Sequence, residues 1–376
     1  MYSKVRILIL KISRMKKYTN WISLWIIFLI FLLPGQLVTA QPLKVGVAGL
    51  NHDHVRGLFS QWKRGEVIIL GIAEADQQLI AKYKASENLP DSIFYPTVEA
   101  MLKRIRPDAV LAYNATIDHL QVVEAAAPMG IPVMVEKPLA TTTKDALRMQ
   151  SLANQYHIQV LTNYETTWYP TTQKVFSLIR HDHAIGEIRR MVVHDGHQGP
   201  KEIGCSQDFL SWLTDPVKNG GGAIMDFGCY GANLMVWLMD GISPTAVTAY
   251  TRQIKPALYP KVDDDATIIL EFPGALGVVE ASWNWPYGIK DLEVFGQTSY
   301  LHALNGKDLR RRDTTDYYVV AVDAPYYKNN LSYLSDVIKG RIQPGKDLSS
   351  LDNNLIVVRI LEAARQSAKE GKRIAL

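Results

Sequence analysis

Two short blocks of this 376-residue sequence combine side chains able to move a proton. The first is Ile131 to Pro138, Ile-Pro-Val-Met-Val-Glu-Lys-Pro, in which an apolar run ends in Glu136 and Lys137 and a proline follows at once. The second is Asn219 to Leu238, NGGGAIMDFGCYGANLMVWL, with Asp226, Tyr230 and Asn233 spaced by four and then three residues. On a single helix that spacing gathers three polar groups on one face. An ammonium group lowers the pKa of a neighbouring phenol, and a phenol so tuned can take a proton from a substrate hydroxyl. We therefore expect Tyr230 to transfer the proton, Lys137 to tune it, and Asp226 and Asn233 to orient the substrate. His197 ranks second for the proton. The plainer alternatives are a surface ion pair at Glu136–Lys137 and a hydrogen-bonded core network along Asp226, Tyr230 and Asn233.

Such groups need a frame. Pro138 keeps the residue before it out of helical geometry, so Lys137 can project from a strand end. LKVGVAG (Leu43 to Gly49), VIILGIA (Val67 to Ala73), DAVLAY (Asp108 to Tyr113), PVMV (Pro132 to Val135) and IQVLTN (Ile158 to Asn163) read as strands buried on both faces. Helical stretches separate them; one starts at a capping box of Thr142 and Asp145 and continues through Met149, Leu152, Ala153 and Tyr156. The fold class is α/β, a doubly wound parallel sheet whose ligands sit at the carboxyl ends of its strands. After Asn163, EIRRMVVHDG, TAVTAYTRQ, ATIILEF, GVVEASW and LEVFG predict a mostly antiparallel sheet. Helices are expected at Gly228 to Met239 and at the C-terminus, where Gly371 stops the last one. The expected division is a dinucleotide-binding domain over 41–162 and a substrate-binding α+β domain over 163–376.

The loop VGVAGLNHDHVRGL follows the first strand, where a dinucleotide would bind. In the G-x-G-x-x-G register its positions are Gly49, Asn51 and His54, so one glycine remains. Asn51 is expected to adopt the left-handed conformation of the missing second glycine. Glu74, closing the second strand, can accept from an adenosine ribose and favours NAD over its 2′-phosphorylated form, and His52, Glu136 and Lys137 are also expected at the cofactor. His52 and His54 have no cysteine or acidic partner at suitable local spacing, so no metal is expected. His194, His197 and Lys201, with Tyr164, Trp168 and Tyr169, are candidate substrate contacts, since flat rings suit the C–H faces of sugars. Asp263 to Asp265 read as a solvated turn.

The first 40 residues have a basic start, a 13-residue apolar run (Trp21 to Leu33) and small residues at Val38 and Ala40. This is a signal-peptide layout with cleavage after Ala40, the run being short of the roughly 20 residues of a membrane span. The expected location is the periplasm. The chain has 41 basic and 37 acidic residues. Without the six basic residues of the leader the balance is 35 against 37, which argues against nucleic acid as a partner. Cys205 and Cys229 are too few for a disulfide framework.

Taken together, Glu136-Lys137-Pro138, the block Asp108 to Ala140, and the glycine–Asp226–Gly228–Tyr230–Asn233 series resemble the Gfo/Idh/MocA oxidoreductases, nearest the glucose–fructose oxidoreductase and sugar dehydrogenase branch. The resemblance implies a catalytic lysine at Lys137, proton transfer by Tyr230, and a nicotinamide pocket lined by Asn114, Thr116 and His119. It further implies a sugar, glycoside or polyol substrate, a tightly held NAD, and association into a dimer or tetramer. Alternatives from other classes are an NAD-dependent glycoside hydrolase or lyase acting through transient oxidation, and a non-catalytic sugar-binding homologue.

Overall fold

A computed structural model describes residues 41–376. The expected leader and its cleavage point after Ala40 lie outside the described residues.

Strands β1 (Leu43–Ala48), β2 (Val67–Ala73), β3 (Phe94–Tyr95), β4 (Ala109–Ala112), β5 (Val133–Glu136) and β6 (Val160–Asn163) form one parallel sheet in the order β3-β2-β1-β4-β5-β6. The order reverses between β1 and β4, which opens a crevice at their carboxyl ends. Helices α1 (Val55–Lys63), α2 (Gln77–Glu87), α3 (Val98–Leu102), α4 (His119–Ala126) and α5 (Thr143–Tyr156) make the crossovers. Every residue of β4 and β5 is buried, as their unbroken apolar runs require. At the start of α5 the Thr142 hydroxyl accepts from the Asp145 amide at 3.1 Å and donates to the Asp145 carboxylate at 2.8 Å.

The chain then runs through α6 (Pro170–Arg180), β7 (Ile188–Gly196), α7 (Gln207–Leu213), α8 (Ala223–Asp226), α9 (Gly228–Leu238), β8 (Ala246–Arg252), β9 (Asp265–Phe272), β10 (Ala275–Ser282), β11 (Ile289–Gly296), β12 (Tyr300–Ala303), β13 (Leu309–Arg312), β14 (Tyr318–Val320), α10 (Asn330–Ile338), α11 (Leu351–Glu370) and β15 (Ile374–Ala375). Its nine strands form a second sheet, β14-β13-β12-β11-β7-β10-β9-β8-β15, antiparallel except where β7 meets β10. Burial alternates residue by residue along β9, so one face carries the core and the other stays open.

Helix α11 lies between the two sheets. Val357, Ile360, Leu361 and Ala364 pack into the core of the second sheet and Val358 into that of the first. Its Arg365 guanidinium donates to Gly220 O at 2.8 Å and Thr141 O at 2.7 Å, and Gly371 ends the helix at φ +66°. Helix α10 belongs to the first sheet in packing, with Leu331, Leu334 and Val337 in the core formed with β1 and β2.

Two local expectations are corrected here. The helix expected from Gly228 is preceded by a separate short one: α8 ends at Asp226, and Phe227 breaks the path before α9 begins. Asp226, Tyr230 and Asn233 therefore do not share a single helical face. Nor are Asp263 to Asp265 a solvated turn. Asp263 accepts from the amides of Gly222 (2.9 Å) and Ile224 (2.7 Å), and Asp264 from those of Ile254 (2.7 Å) and Lys255 (2.6 Å). Asp265 accepts from the Ser282 hydroxyl. Asp263 thus ties the segment Gly222–Ile224 to the start of β9, while Asp264 and Asp265 fix neighbouring parts of the second sheet.

Candidate active site

β5 delivers Glu136 and Lys137 as successive residues, and they diverge. Glu136 turns toward α1, accepting from Asn163 Nδ2 at 2.8 Å and meeting His54 Nδ1 at 3.0 Å. Lys137 turns toward the second sheet. Its ammonium donates to Asp226 Oδ1 at 2.5 Å and to the Asp226 backbone carbonyl at 2.9 Å. The Lys137–Pro138 peptide is cis. The indole of Trp283 donates to Asp226 Oδ2 at 3.0 Å, so both carboxylate oxygens are held. Lys137 and Asp226 are 7 % and 8 % exposed at the side chain. Burial opposes charge on each, yet the partner outweighs it: the lysine pKa is raised and the carboxyl pKa lowered. This is a charged pair, with charge carried by both members at neutral pH.

Tyr230 joins this pair through its ring. Lys137 Nζ stands 5.0 Å from the ring centroid, and Lys290 Nζ stands 4.5 Å from it. Both contacts are cation–π in kind. The expectation that Lys137 lowers the phenol pKa is overturned. Burial pushes it well above the ordinary tyrosine value, and Asp195 and Glu165 push the same way. Tyr230 is a neutral donor at physiological pH.

Lys290, Asp195, Glu165 and Trp283 were not singled out from sequence. Lys290 donates to Glu165 at 2.6 Å and sits opposite Asp195 in the β7–β11 register. Burial works against the Lys290 charge, but Asp195 and Glu165 raise its pKa. Asp195 is itself buried, has one oxygen without a partner, and is pushed up to about 8 by burial despite Lys290 and Lys137. Beside Asp195 and Lys290 is a hole of about 10 Å³, the size of one water. The available signal was non-local: only pairing β7 with β11 sets Lys290 against Asp195.

Other expected contacts divide. His197 stays near the pair, its ring edge-on to Phe227 at 4.9 Å. Its Nδ1 accepts from the Gly199 amide at 2.9 Å, which leaves the neutral ring's proton on Nε2. Burial lowers its pKa, so His197 is also a neutral donor. Asn233 is corrected: it is fully buried and donates to Leu348 O at 2.8 Å, on the approach to α11, and has no place against a substrate. Tyr164 is likewise core, fully buried and edge-on to Tyr230 at 5.4 Å. Trp168 donates from Nε1 to Asn163 Oδ1 at 2.9 Å and lines a cavity of about 570 Å³ with His54, Glu136, Asn163 and Glu165. Glu165 thus connects that cavity to Lys290.

On the far side of the β1–α1 loop, a cavity of about 340 Å³ is lined by Gly49, Asn51, Glu74, Thr97, Asn114 and Gln121, among others. Gly49 has φ +82°, and a Cβ there would lie 2.6 Å from that of Asn114. Asn51 and Asn114 each keep a buried amide oxygen without a partner. Glu74 accepts three backbone amides, those of Leu50, Ala75 and Asp76, each at 2.9 Å; burial still raises its pKa. A close backbone approach, unpaired acceptors and a fixed carboxylate at a strand end fit the adenosine half of a dinucleotide. Asn51 is not left-handed, a correction to the expected glycine mimicry. It donates nothing to the turn, and its carbonyl accepts from Trp212 Nε1 at 3.1 Å. Thr116 donates to Asn219 Oδ1 at 3.1 Å, securing the second block. His119 is buried, meets Leu139 O at 3.1 Å, leaves Nε2 unpaired, and is pushed down by burial to about 4. His52 is buried, and its Nδ1 accepts from the His54 amide at 3.2 Å.

The two sheets, with a strand-end crevice and a buried lysine crossing to the partner sheet, define a two-part dinucleotide-binding fold. Residues 43–164 match the model of the oxidoreductase family with NAD-binding Rossmann fold, and residues 173–302 match that of the GFO/IDH/MocA C-terminal domain. The chain belongs to the Gfo/Idh/MocA oxidoreductase family. It is 27% identical over 215 residues to the D-xylose 1-dehydrogenase [NADP(+)] of Haloarcula marismortui, covering 57% of this chain and 58% of that protein. It is 25% identical over 248 residues to the inositol 2-dehydrogenase of Gluconacetobacter diazotrophicus, covering 65% and 67%. The match to the xylose enzyme therefore spans less than two thirds of its length. Among solved structures, the aldose-aldose oxidoreductase of Caulobacter crescentus complexed with glycerol superposes with a TM-score of 0.75 at 22% identity, covering 89% of this chain and all of that one. An inositol dehydrogenase homolog of Azotobacter vinelandii complexed with NAD+ gives 0.76 at 18%, covering 90% and 98%.

Proposed function

We propose that the protein is an NAD-dependent oxidoreductase acting on a hydroxyl carbon of a sugar, glycoside or polyol, and that it works outside the inner membrane after loss of its leader. One observation carries the reading: the Lys137 ammonium is buried, paired with Asp226 and set against Tyr230 between the two sheets. A buried ion pair is costly unless its charges are used or fully satisfied. When bound, the nicotinamide supplies the hydride chemistry. Gly49, Asn51, Glu74 and Asn114 would hold its adenosine half, and Glu74 favours the form without a 2′-phosphate.

The chain's own residues then handle the proton. Lys137 donates to the reacting oxygen and stabilises the negative charge that develops there. As the hydroxyl proton passes to Lys137, one lysine proton passes to Asp226, whose carboxylate is already in contact. Tyr230 and the Nε2–H of His197 act as neutral donors that fix the sugar's other oxygens. The names of the xylose, inositol and aldose relatives support a carbohydrate substrate. The open face of the nine-stranded sheet, with Tyr250, Phe295 and Val319 exposed, supports association with further copies of the chain. Among the described residues no helix is long and apolar enough to cross a membrane.

The test is reduced-nicotinamide absorbance after sugars and polyols are added to the purified protein, with and without added NAD. A stoichiometric rise without added NAD marks a tightly held cofactor. Cleavage of an aryl glycoside with no net absorbance change supports the hydrolase or lyase alternative. Failure to bind NAD at all refutes both and leaves the non-catalytic alternative.

A further inference from the structure

Asp53, the acidic residue between His52 and His54, accepts from the Ser206 amide at 2.7 Å, and the fold brings a second carboxylate, Glu136, from β5. The ligand-capable atoms of His52, His54 and Glu136 all lie within 4.8 Å of one another. We propose that these three side chains bind one divalent transition-metal ion of the zinc or cobalt type, on the wall of the 570 Å³ cavity that His54 and Glu136 line. Two imidazoles and one carboxylate suit such an ion, whereas magnesium and calcium prefer all-oxygen sets.

The groups around the three ligands are arranged as a metal site requires. Glu136 is 3 % exposed, and Asn163 occupies its Oε1, leaving Oε2 turned to His54. Asn163 is fixed in turn by the Trp168 indole, so an ordered chain of donors orients the carboxylate. His52 packs against Phe209 and Trp212, with ring centroids at 4.7 and 5.4 Å, and those two rings touch each other at 5.0 Å. Its Nδ1 accepts only a 3.2 Å bond from the His54 amide, so the neutral ring already carries a lone pair on that nitrogen. In a tetrahedral site with ligand bonds of about 2.0–2.2 Å, neighbouring ligand atoms are about 3.5 Å apart. Rotation of His54, 47 % exposed at its side chain, supplies that closure. Of the other charged groups lining the cavity, Glu165 is paired with Lys290, Asp53 with Arg56 and Arg64 with Glu66, and the nearby Lys137 ammonium is committed to Asp226. The ion would tie the β1–α1 loop to the end of β5 and leave a position open to an oxygen ligand from the cavity.

This inference goes beyond the dehydrogenase reading and is tested without it. The folded chain, stripped with chelator and dialysed, is titrated with Co²⁺ alone. One ion per chain with visible d–d bands of a four-coordinate site, displaced by Zn²⁺, is expected. His52→Ala and Glu136→Gln should each weaken binding by roughly 10²-fold or more, and Asn163→Ala by about tenfold. His54→Gln changes the exposed ligand without disturbing the core and should abolish the bands. His181→Ala, at an exposed histidine on another element, should leave them unchanged. No retained cobalt, or bands that survive His54→Gln, would overturn the proposal, whatever NAD binding shows.

Discussion

Asp263 is a half-buried carboxylate and Asp226 a buried one, and the fold stabilises them in opposite ways. Asp263 is held by backbone amides alone, and burial pushes it up to about 6. Asp226 faces an ammonium and is held below the ordinary carboxylate value. An amide dipole is a partial charge that cannot move; a lysine is a full charge that can give up and regain a proton. The first arrangement fixes a turn. The second keeps charge and proton available, and it occurs where the two sheets meet.

Lys137→Met should break the second arrangement most severely. Activity is expected to fall by roughly 10²–10⁴, and the orphaned Asp226 should cost about 3–5 kcal/mol in denaturant unfolding. Full activity on a folded variant would remove Lys137 from the chemistry. Asp263 gives the opposite signature. Its folded pKa of about 6 exceeds the ordinary aspartate value of 3.8, so the folded state binds the proton more tightly. Stability should therefore fall as pH rises from about 4 to 6, by about 3 kcal/mol. Asp263→Asn should flatten that part of the unfolding profile while leaving turnover per folded molecule unchanged. Asn233 belongs with Asp263: Asn233→Ala should destabilise by about 1–3 kcal/mol with an unchanged KM. Tyr230→Phe is the smallest expected effect and the sharpest discriminator. A neutral donor contributes one hydrogen bond, so turnover should fall about fivefold to tenfold. A loss of 10² or more would restore Tyr230 as the base.

The parallel sheet was readable because buried parallel strands are continuous apolar runs bounded by turns, and β4 and β5 are fully buried. Lys137 was readable for a related reason: charge followed by proline at the end of such a run has few explanations. The second block was read as one helix because spacing alone cannot reveal the break at Phe227. That break separates Asp226 from Asn233, which turns to the approach to α11. Lys290 was invisible, since its position depends on which strand pairs with β7. Asp263 to Asp265 misled because a run of aspartates normally seeks water; here loop amides replace it. His52 and His54 were judged on local neighbours, while Glu136 arrives from 82 residues away.

The position of α10 limits how the molecule can be dissected. Leu331, Tyr333, Leu334 and Val337 complete the apolar layer over β1 and β2 although more than 160 residues separate them from the last strand of that sheet. A fragment ending at Asn163 would expose that layer to water. Nucleotide binding should therefore be measured on the intact chain, because an isolated N-terminal half lacks part of its own interior.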